Sequence, residues 1–252
     1  MIFNIFYYLV TLAVVTIALI ITVLVYPFTV PSDKARRVIH EISRVLCMFF
    51  FRTPPCWKTR VRGLEHIERG QTYVIVLNHR SMVDIPMLYW VPLNFRWVSK
   101  STNKKMPFIG QFMWLHGDML IPTQKPQKAA SMIMHTAPMW LKDRGVCVAI
   151  FPEGSRSKTE DIQAFKPTAF ALAERAGVGI LPVVLDGSKL IGKGGKLPWK
   201  HTFTVQVLEP VSAETVTASD PKALMNQTRD RMIEAKRAIK QELKELGIDN
   251  KV

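Results

Sequence analysis

Tyr73-Val74-Ile75-Val76-Leu77 runs without interruption into Asn78-His79-Arg80-Ser81-Met82-Val83-Asp84, and Ile85-Pro86 follows. The apolar run reads as a strand, and the polar stretch after it as a strand-to-helix turn. His79 and Asp84 lie five positions apart. On one continuous helix they would point about 140° apart and could not meet. With His79 in the loop and Asp84 in the first helical turn, the chain folds back and the carboxylate receives one ring N–H. The other ring nitrogen is then free to act as a base. Ser81-x-x-Asp84 also fits a capping box, and Asp84 an N-cap, so this segment alone leaves capping and catalysis both open.

Outward from this turn, short apolar runs alternate with helical patterns. Residues 95–98, 118–121, 146–151, 180–185 and 203–208 read as further strands. Residues 85–90, 108–115, 128–143, 168–176 and 221–246 read as helices. This order predicts an α/β fold, a single domain with a central mixed sheet flanked by helices. The last helix carries Lys236, Arg237, Lys240 and Lys244 among several acids, which reads as a solvated face.

No charged side chain occurs before Asp33, and residues 3–28 are almost wholly apolar. As one helix that run would reach roughly 39 Å at about 1.5 Å per residue, against a hydrocarbon core of about 30 Å. No Lys or Arg precedes it, so the expectation is a retained membrane helix, or the first arm of a helical hairpin, and not a cleaved leader. Lys34, Arg36 and Arg37 follow directly, which puts the rest of the chain on the cytoplasmic face of the membrane, the inner one in a bacterium. Residues 35–51 form a second helical pattern with several arginines. It either lies in the headgroup region as a basic amphipathic helix or packs on the domain. Thr53-Pro54-Pro55 ends it, dividing the chain into a membrane-anchoring part, residues 1–55, and a catalytic domain, residues 56–252.

Lys and Arg outnumber Asp and Glu by 34 to 20, a balance that favours an anionic partner. The chain has no nucleic-acid-binding motif, and no nucleic-acid partner is expected. Cys47, Cys56 and Cys147 form no C-x-x-C pair and indicate neither a disulfide framework nor a thiolate metal site.

A second constellation follows the strand at residues 146–151: Phe151-Pro152-Glu153-Gly154-Ser155-Arg156-Ser157. An acid, a flexible backbone, a hydroxyl and a guanidinium sit within one turn, a composition suited to an anion. A local Glu153–Arg156 salt bridge on a solvated turn is the plainer reading of those residues by themselves.

Asn78-His79-x-x-x-x-Asp84 and Phe151-Pro-Glu-Gly-Ser-Arg-Ser157, in this order, resemble two blocks of the glycerolipid acyltransferase family, lysophosphatidic acid acyltransferase type. Val98-Ser-Lys100 with Pro107-Phe-Ile-Gly110 is similar to that family's second block, and Leu181-Pro-Val-Val184 to its fourth. The resemblance covers roughly residues 61–208. It implies that His79 is the general base, that Asp84 orients it, and that Glu153, Gly154, Ser155 and Arg156 bind the acceptor's glycerol phosphate. Lys100 and Lys166 become candidate phosphate or donor contacts. The resemblance further implies no metal, no cofactor and no covalent acyl-enzyme. The partners expected are the lipid bilayer, a lysophospholipid acceptor, and acyl-CoA or acyl carrier protein as the thioester donor. Rival readings are a same-family enzyme for another acceptor, such as a lyso-aminolipid, or a catalytically silent lipid-binding membrane protein.

The chain departs from the family pattern at two places. The second block normally ends in an arginine after an Ile-Asp pair, where this chain has Ile121-Pro122-Thr123, with Lys125 as a nearby substitute. In Phe165-Lys166-Pro167-Thr168 a threonine stands where the family shows glycine. Gly187-Ser-Lys-Leu-Ile-Gly192-Lys193 mimics a nucleotide P-loop. Gly194 replaces the required hydroxyl, and Pro198 prevents the helix that would hold a phosphate. Phe108, Phe112, Met113 and Trp114 either line an acyl channel or are simply core.

Overall fold

The structure is a computed structural model that describes residues 2–189 and 197–248. The P-loop-like segment falls largely on residues 190–196, which lie outside the described residues.

Two helices come first, α1 (Ile2–Thr29) and α2 (Arg37–Arg52), followed by strand β1 (Trp57–Arg62). Then come β2 (Tyr73–Leu77), the short α3 (Asp84–Met87), β3 (Phe95–Lys100), α4 (Ile109–His116), β4 (Met119–Ile121) and α5 (Pro126–Pro138). The chain continues through β5 (Cys147–Ile150), α6 (Thr168–Ala176), β6 (Gly179–Asp186), β7 (His201–Val207), α7 (Ala213–Ala218) and α8 (Pro221–Glu245). Among the described residues the strands form one sheet in the order β1-β7-β6-β2-β5-β3-β4, parallel except for the β6–β7 pair.

The expected central mixed sheet is therefore present, and β2 lies near its middle. Along β2 the side chains alternate. Val74 and Val76 join a core with α5, α6 and α8 on one face, while Tyr73, Ile75 and Leu77 join a second core with α2 and α3 on the other. This double burial is why the strand is an unbroken apolar run.

Several elements differ from expectation. β1 is a strand that its Lys58, Arg60 and Arg62 hide, because it is an edge strand that among the described residues pairs only with β7 and leaves Lys58 and Arg62 exposed and Arg60 half-buried. The helix expected at 85–90 is the four-residue α3 plus a 3-10 turn. The one at 128–143 starts earlier, at Pro126, and passes after Pro138 into a π turn. Lys236 is not on a solvated face; it lies in the buried stripe of α8.

α2 packs on the domain. His40 meets His116 (Nδ1 to Nε2, 3.0 Å), and the buried Arg96 donates to the carbonyls of Ala35 and Arg36 just before the helix. α1 is long and apolar enough to cross a membrane, and its outward face carries exposed Phe6, Leu9, Ile17, Leu24 and Phe28. It touches the domain at both ends. Phe3 packs edge-on against Trp199, Tyr7 is buried against Trp57, and Tyr26 stacks on Trp114 at 5.5 Å. Trp114, expected as channel lining or core, is mostly exposed apart from this stack.

Candidate active site

Strands β2, β5 and β3 are neighbours in the sheet and run parallel, so the segments that leave their C-terminal ends meet at one edge. Those segments are the His79 turn, the Phe151–Ser157 turn and the chain after Lys100. Blocks far apart in sequence converge here because of strand order.

The His79 turn is built from backbone hydrogen bonds outward. The buried Asn78 amide pairs with the backbone of Leu185, donating to its carbonyl at 2.9 Å and accepting from its N–H at 2.8 Å. It thereby fixes the loop to β6. Asp84 is fully buried, and its Oδ2 accepts from the N–H groups of Arg80 (2.6 Å) and Ser81 (2.7 Å). The same oxygen lies 2.9 Å from Nδ1 of His79. One carboxylate oxygen thus holds both the turn's backbone and the imidazole, while α3 itself has no side-chain cap, so the N-cap reading of Asp84 is not realised. The imidazole side chain is 14% exposed, and with Nδ1 held by Asp84 its second nitrogen is the one left for a ligand.

The plane of that ring is held by stacking. His79 lies on Phe151 with centroids 3.9 Å apart and a 15° interplanar angle, and Phe151 lies on Trp97 at 5.1 Å. Sequence reasoning did not single out Trp97. Its signal is weak, an aromatic in an apolar strand, and its role depends on β3 lying beside β5.

The second turn is stitched to the first. Glu153 Oε1 accepts from the N–H of His79 (2.7 Å), Glu153 Oε2 from the N–H of Gln163 (3.0 Å), and the His79 carbonyl from the N–H of Ser157 (2.7 Å). Burial pushes the Glu153 carboxyl up from its ordinary value, against the pull of the His79 and Gln163 N–H groups. Both its oxygens are thus engaged by backbone, and it makes no salt bridge with Arg156. Gly154 has φ +72°, which a side chain would strain, and a Cβ there would come within 2.6 Å of the Lys166 ammonium.

A cavity of about 450 Å³ opens beside His79. Gly154, Ser155, Arg156, Lys100, Lys166 and Thr123 all line it, whereas Glu153 and Lys125 do not. Lys100, Arg156 and Lys166 are exposed at its wall, and their side chains form no ion pair with any described residue. The remaining wall is mostly apolar and includes Phe108, Phe112 and Met113, together with Leu46 of α2 and Val15 of α1, but it also carries the His116–Asp118 pair, 2.7 Å apart. One compartment therefore joins a histidine–carboxylate pair, three unpaired cations and an apolar path to the N-terminal helix. Among the described residues no group of three or more His, Cys, Asp or Glu side chains is arranged to hold a metal ion.

The acyltransferase family model matches residues 58–186, just over half of the chain and every element of this site up to β6. The chain belongs to the acyltransferase family. As an acyltransferase-family chain it is 28% identical over 87% of its length to the chloroplastic 1-acyl-sn-glycerol-3-phosphate acyltransferase of Arabidopsis thaliana, covering 60% of that protein. It is 30% identical over 75% of its length to the 1-acyl-sn-glycerol-3-phosphate acyltransferase of Saccharomyces cerevisiae, again covering 60%. To the alpha form from Homo sapiens it is 31% identical over 72% of its length, covering 65%. The chain thus spans less than two thirds of the length of these curated relatives. The crystal structure of the 1-acyl-sn-glycerophosphate (LPA) acyltransferase PlsC from Thermotoga maritima has the same fold, with a TM-score of 0.68 at 21% identity over 93% of this chain and 97% of that one.

Proposed function

We propose that this acyltransferase-family protein is an O-acyltransferase of phospholipid biosynthesis, moving a fatty acyl group from acyl-CoA or acyl carrier protein to the free hydroxyl of lysophosphatidic acid to give phosphatidic acid. The observation that carries the reading is the 2.9 Å contact of His79 Nδ1 with Asp84, in a cavity lined also by Arg156, Lys100 and Lys166. The relatives' names point to the same acceptor.

His79 takes the proton of the acceptor hydroxyl through its second ring nitrogen, and the oxygen attacks the thioester carbonyl. As the tetrahedral adduct collapses, the carbon–sulfur bond breaks and the imidazolium returns its proton to the thiolate. Asp84 holds the tautomer and stabilises the transient imidazolium. Arg156, Lys100 and Lys166 hold the acceptor's phosphate, with Ser155 and the backbone of Gly154 closing round it. Glu153 acts through the loop it ties down. No metal or cofactor enters these steps.

The lysolipid reaches the cavity from the bilayer past α1 and α2. A helix of 28 residues is about 42 Å long. Aromatic contacts at both its ends on one domain favour α1 lying within one leaflet over α1 crossing it. Lys34 and Arg37, both exposed beyond α1, favour the cytoplasmic face.

Thr123, on the cavity wall where the family has an arginine, favours a second reading in which the acceptor is another lyso-lipid such as a lyso-aminolipid. Purified protein in detergent, given each thioester and a panel of lyso-lipids, separates the two. Transfer to lysophosphatidic acid is expected. Transfer solely to a phosphate-free acceptor contradicts the first reading, and no transfer to any acceptor leaves a silent lipid binder.

A further inference from the structure

The residue after His79 faces a different compartment. Arg80 lines a second cavity, of about 870 Å³, which shares no lining residue with the first. It lies between the end of β6, the His79 turn and the C-terminal half of α8, at the same sheet edge as the catalytic cavity. Among the described residues its wall carries Arg80, Lys189, Lys236, Lys240 and Lys244 against Glu160 and Asp186.

Glu160 is already matched, since Arg80 Nη1 lies 3.0 Å from it and Lys240 also pairs with it. Lys236 is not matched. α8 buries Leu224, Thr228, Met232, Lys236, Ile239 and Leu243 along one face, so this lysine occupies a place in the apolar stripe and is only 7% exposed. Its ammonium forms no hydrogen bond or ion pair with any described residue, although Asp186 is the carboxylate that most offsets its charge. Burial accordingly pulls Lys236 below, and pushes Asp186 above, the ordinary values. The Lys236 Nζ is not among the enclosed polar atoms without a partner, so the ammonium opens to the cavity from a largely buried stem, where it is poorly solvated and a ligand anion would offset that cost.

We propose that this cavity is an anion site that takes the phosphates of a nucleotide-bearing thioester donor, with Lys236 buried in its wall and Arg80 and Lys240 beside it. The inference rests on the acyl-transfer reading above. The volume suits a small polyanion. The cations of the catalytic cavity serve the acceptor's phosphate, so the donor's phosphates need others. His79 lines one cavity and its chain neighbour Arg80 the other, so the two sites lie on either side of one backbone step. Free phosphate and an anionic lipid headgroup offer the same chemistry from other sources.

The test is Lys236→Met in the full-length protein. It replaces the charged end of a largely buried side chain by an apolar chain of similar length, so folding should be kept and the melting temperature should not fall. Calorimetry with adenosine 3′,5′-bisphosphate, inorganic phosphate and anionic lipid vesicles is paired with kcat/KM for acyl-CoA and for the same acyl group on pantetheine, which has no nucleotide. The expected result is weaker binding of the bisphosphate and a fall of about tenfold or more in the preference for acyl-CoA over acyl-pantetheine, as loss of one charged contact implies. An unchanged preference overturns the donor assignment, the more so if phosphate or vesicle binding is what weakens. Unaltered binding of all three probes overturns the site itself. If no donor is turned over while Lys236-dependent bisphosphate binding persists, the anion site stands and the acyl-transfer reading falls.

Discussion

Glu153 holds His79 by its backbone and not by its ring: Oε1 accepts the His79 N–H at 2.7 Å, while the imidazole turns to Asp84. One glutamate thus locks together the two turns that carry the site. Glu153→Ala leaves two backbone N–H groups without their acceptor and should cost roughly 2–4 kcal/mol. Glu153→Gln, whose amide can still satisfy one of them, should cost less. Thermal or urea unfolding of the two variants measures this, and equal, negligible losses would contradict a positioning role.

Asp84 holds both the backbone of the turn and the imidazole, so Asp84→Asn separates the two functions. The amide oxygen can still accept from the Arg80 and Ser81 N–H groups, but the imidazolium loses its counter-charge. Acyl transfer should fall by about 10²–10⁴, with far less effect on the melting temperature than Asp84→Ala. A variant that keeps more than a tenth of normal turnover would show that Asp84 only holds the turn.

Thr123 stands on the wall of the catalytic cavity at the family's arginine position. Thr123→Arg should lower KM for lysophosphatidic acid by about tenfold, one charge-assisted contact, and leave a phosphate-free lyso-lipid unaffected. Competition between the two acceptors in one assay reads this out. A gain for the phosphate-free lipid would reverse the assignment of that wall.

Acid should weaken the attachment of α8 to the rest of the domain without detaching it, since its apolar stripe stays buried. Hydrogen bonds from Lys240 and then Arg80 lower Glu160 from 4.5 to about 2, and those from Arg62 and then Arg60 lower Glu242 by a similar amount. Both pKa values are depressed on folding, so their contribution is full above about pH 4.5 and is lost as the pH falls towards 2. Melting temperatures between pH 2.5 and 7 should drop across this window. The drop should be shallower in the double variant Glu160→Gln, Glu242→Gln, and an identical profile would show that these pairs contribute nothing.

What could be read from the sequence followed from how strongly neighbours constrain each segment. β2 and β6 are apolar without a break because both of their faces are covered, whereas helix geometry only excludes a His79–Asp84 meeting on one helix, and the segment by itself left capping and catalysis both open. β1 was hidden because an edge strand tolerates Lys58, Arg60 and Arg62, two of which turn out to clasp Glu242. The stack of His79, Phe151 and Trp97 depends on β5 inserting between β2 and β3, a strand order that no local pattern encodes. Lys236 was misjudged by residue type. Its spacing from Met232 and Ile239 would have placed it inside.

The central claim is that His79 is the base of an acyl transfer. Its most direct test is transfer of labelled acyl groups from thioester to lysophosphatidic acid by wild type and His79→Ala side by side, with melting temperatures measured on the same samples. The account predicts transfer by the wild type and loss of about 10²–10⁴ or more in the variant at an unchanged melting temperature. Undiminished transfer by a folded His79→Ala protein would contradict it.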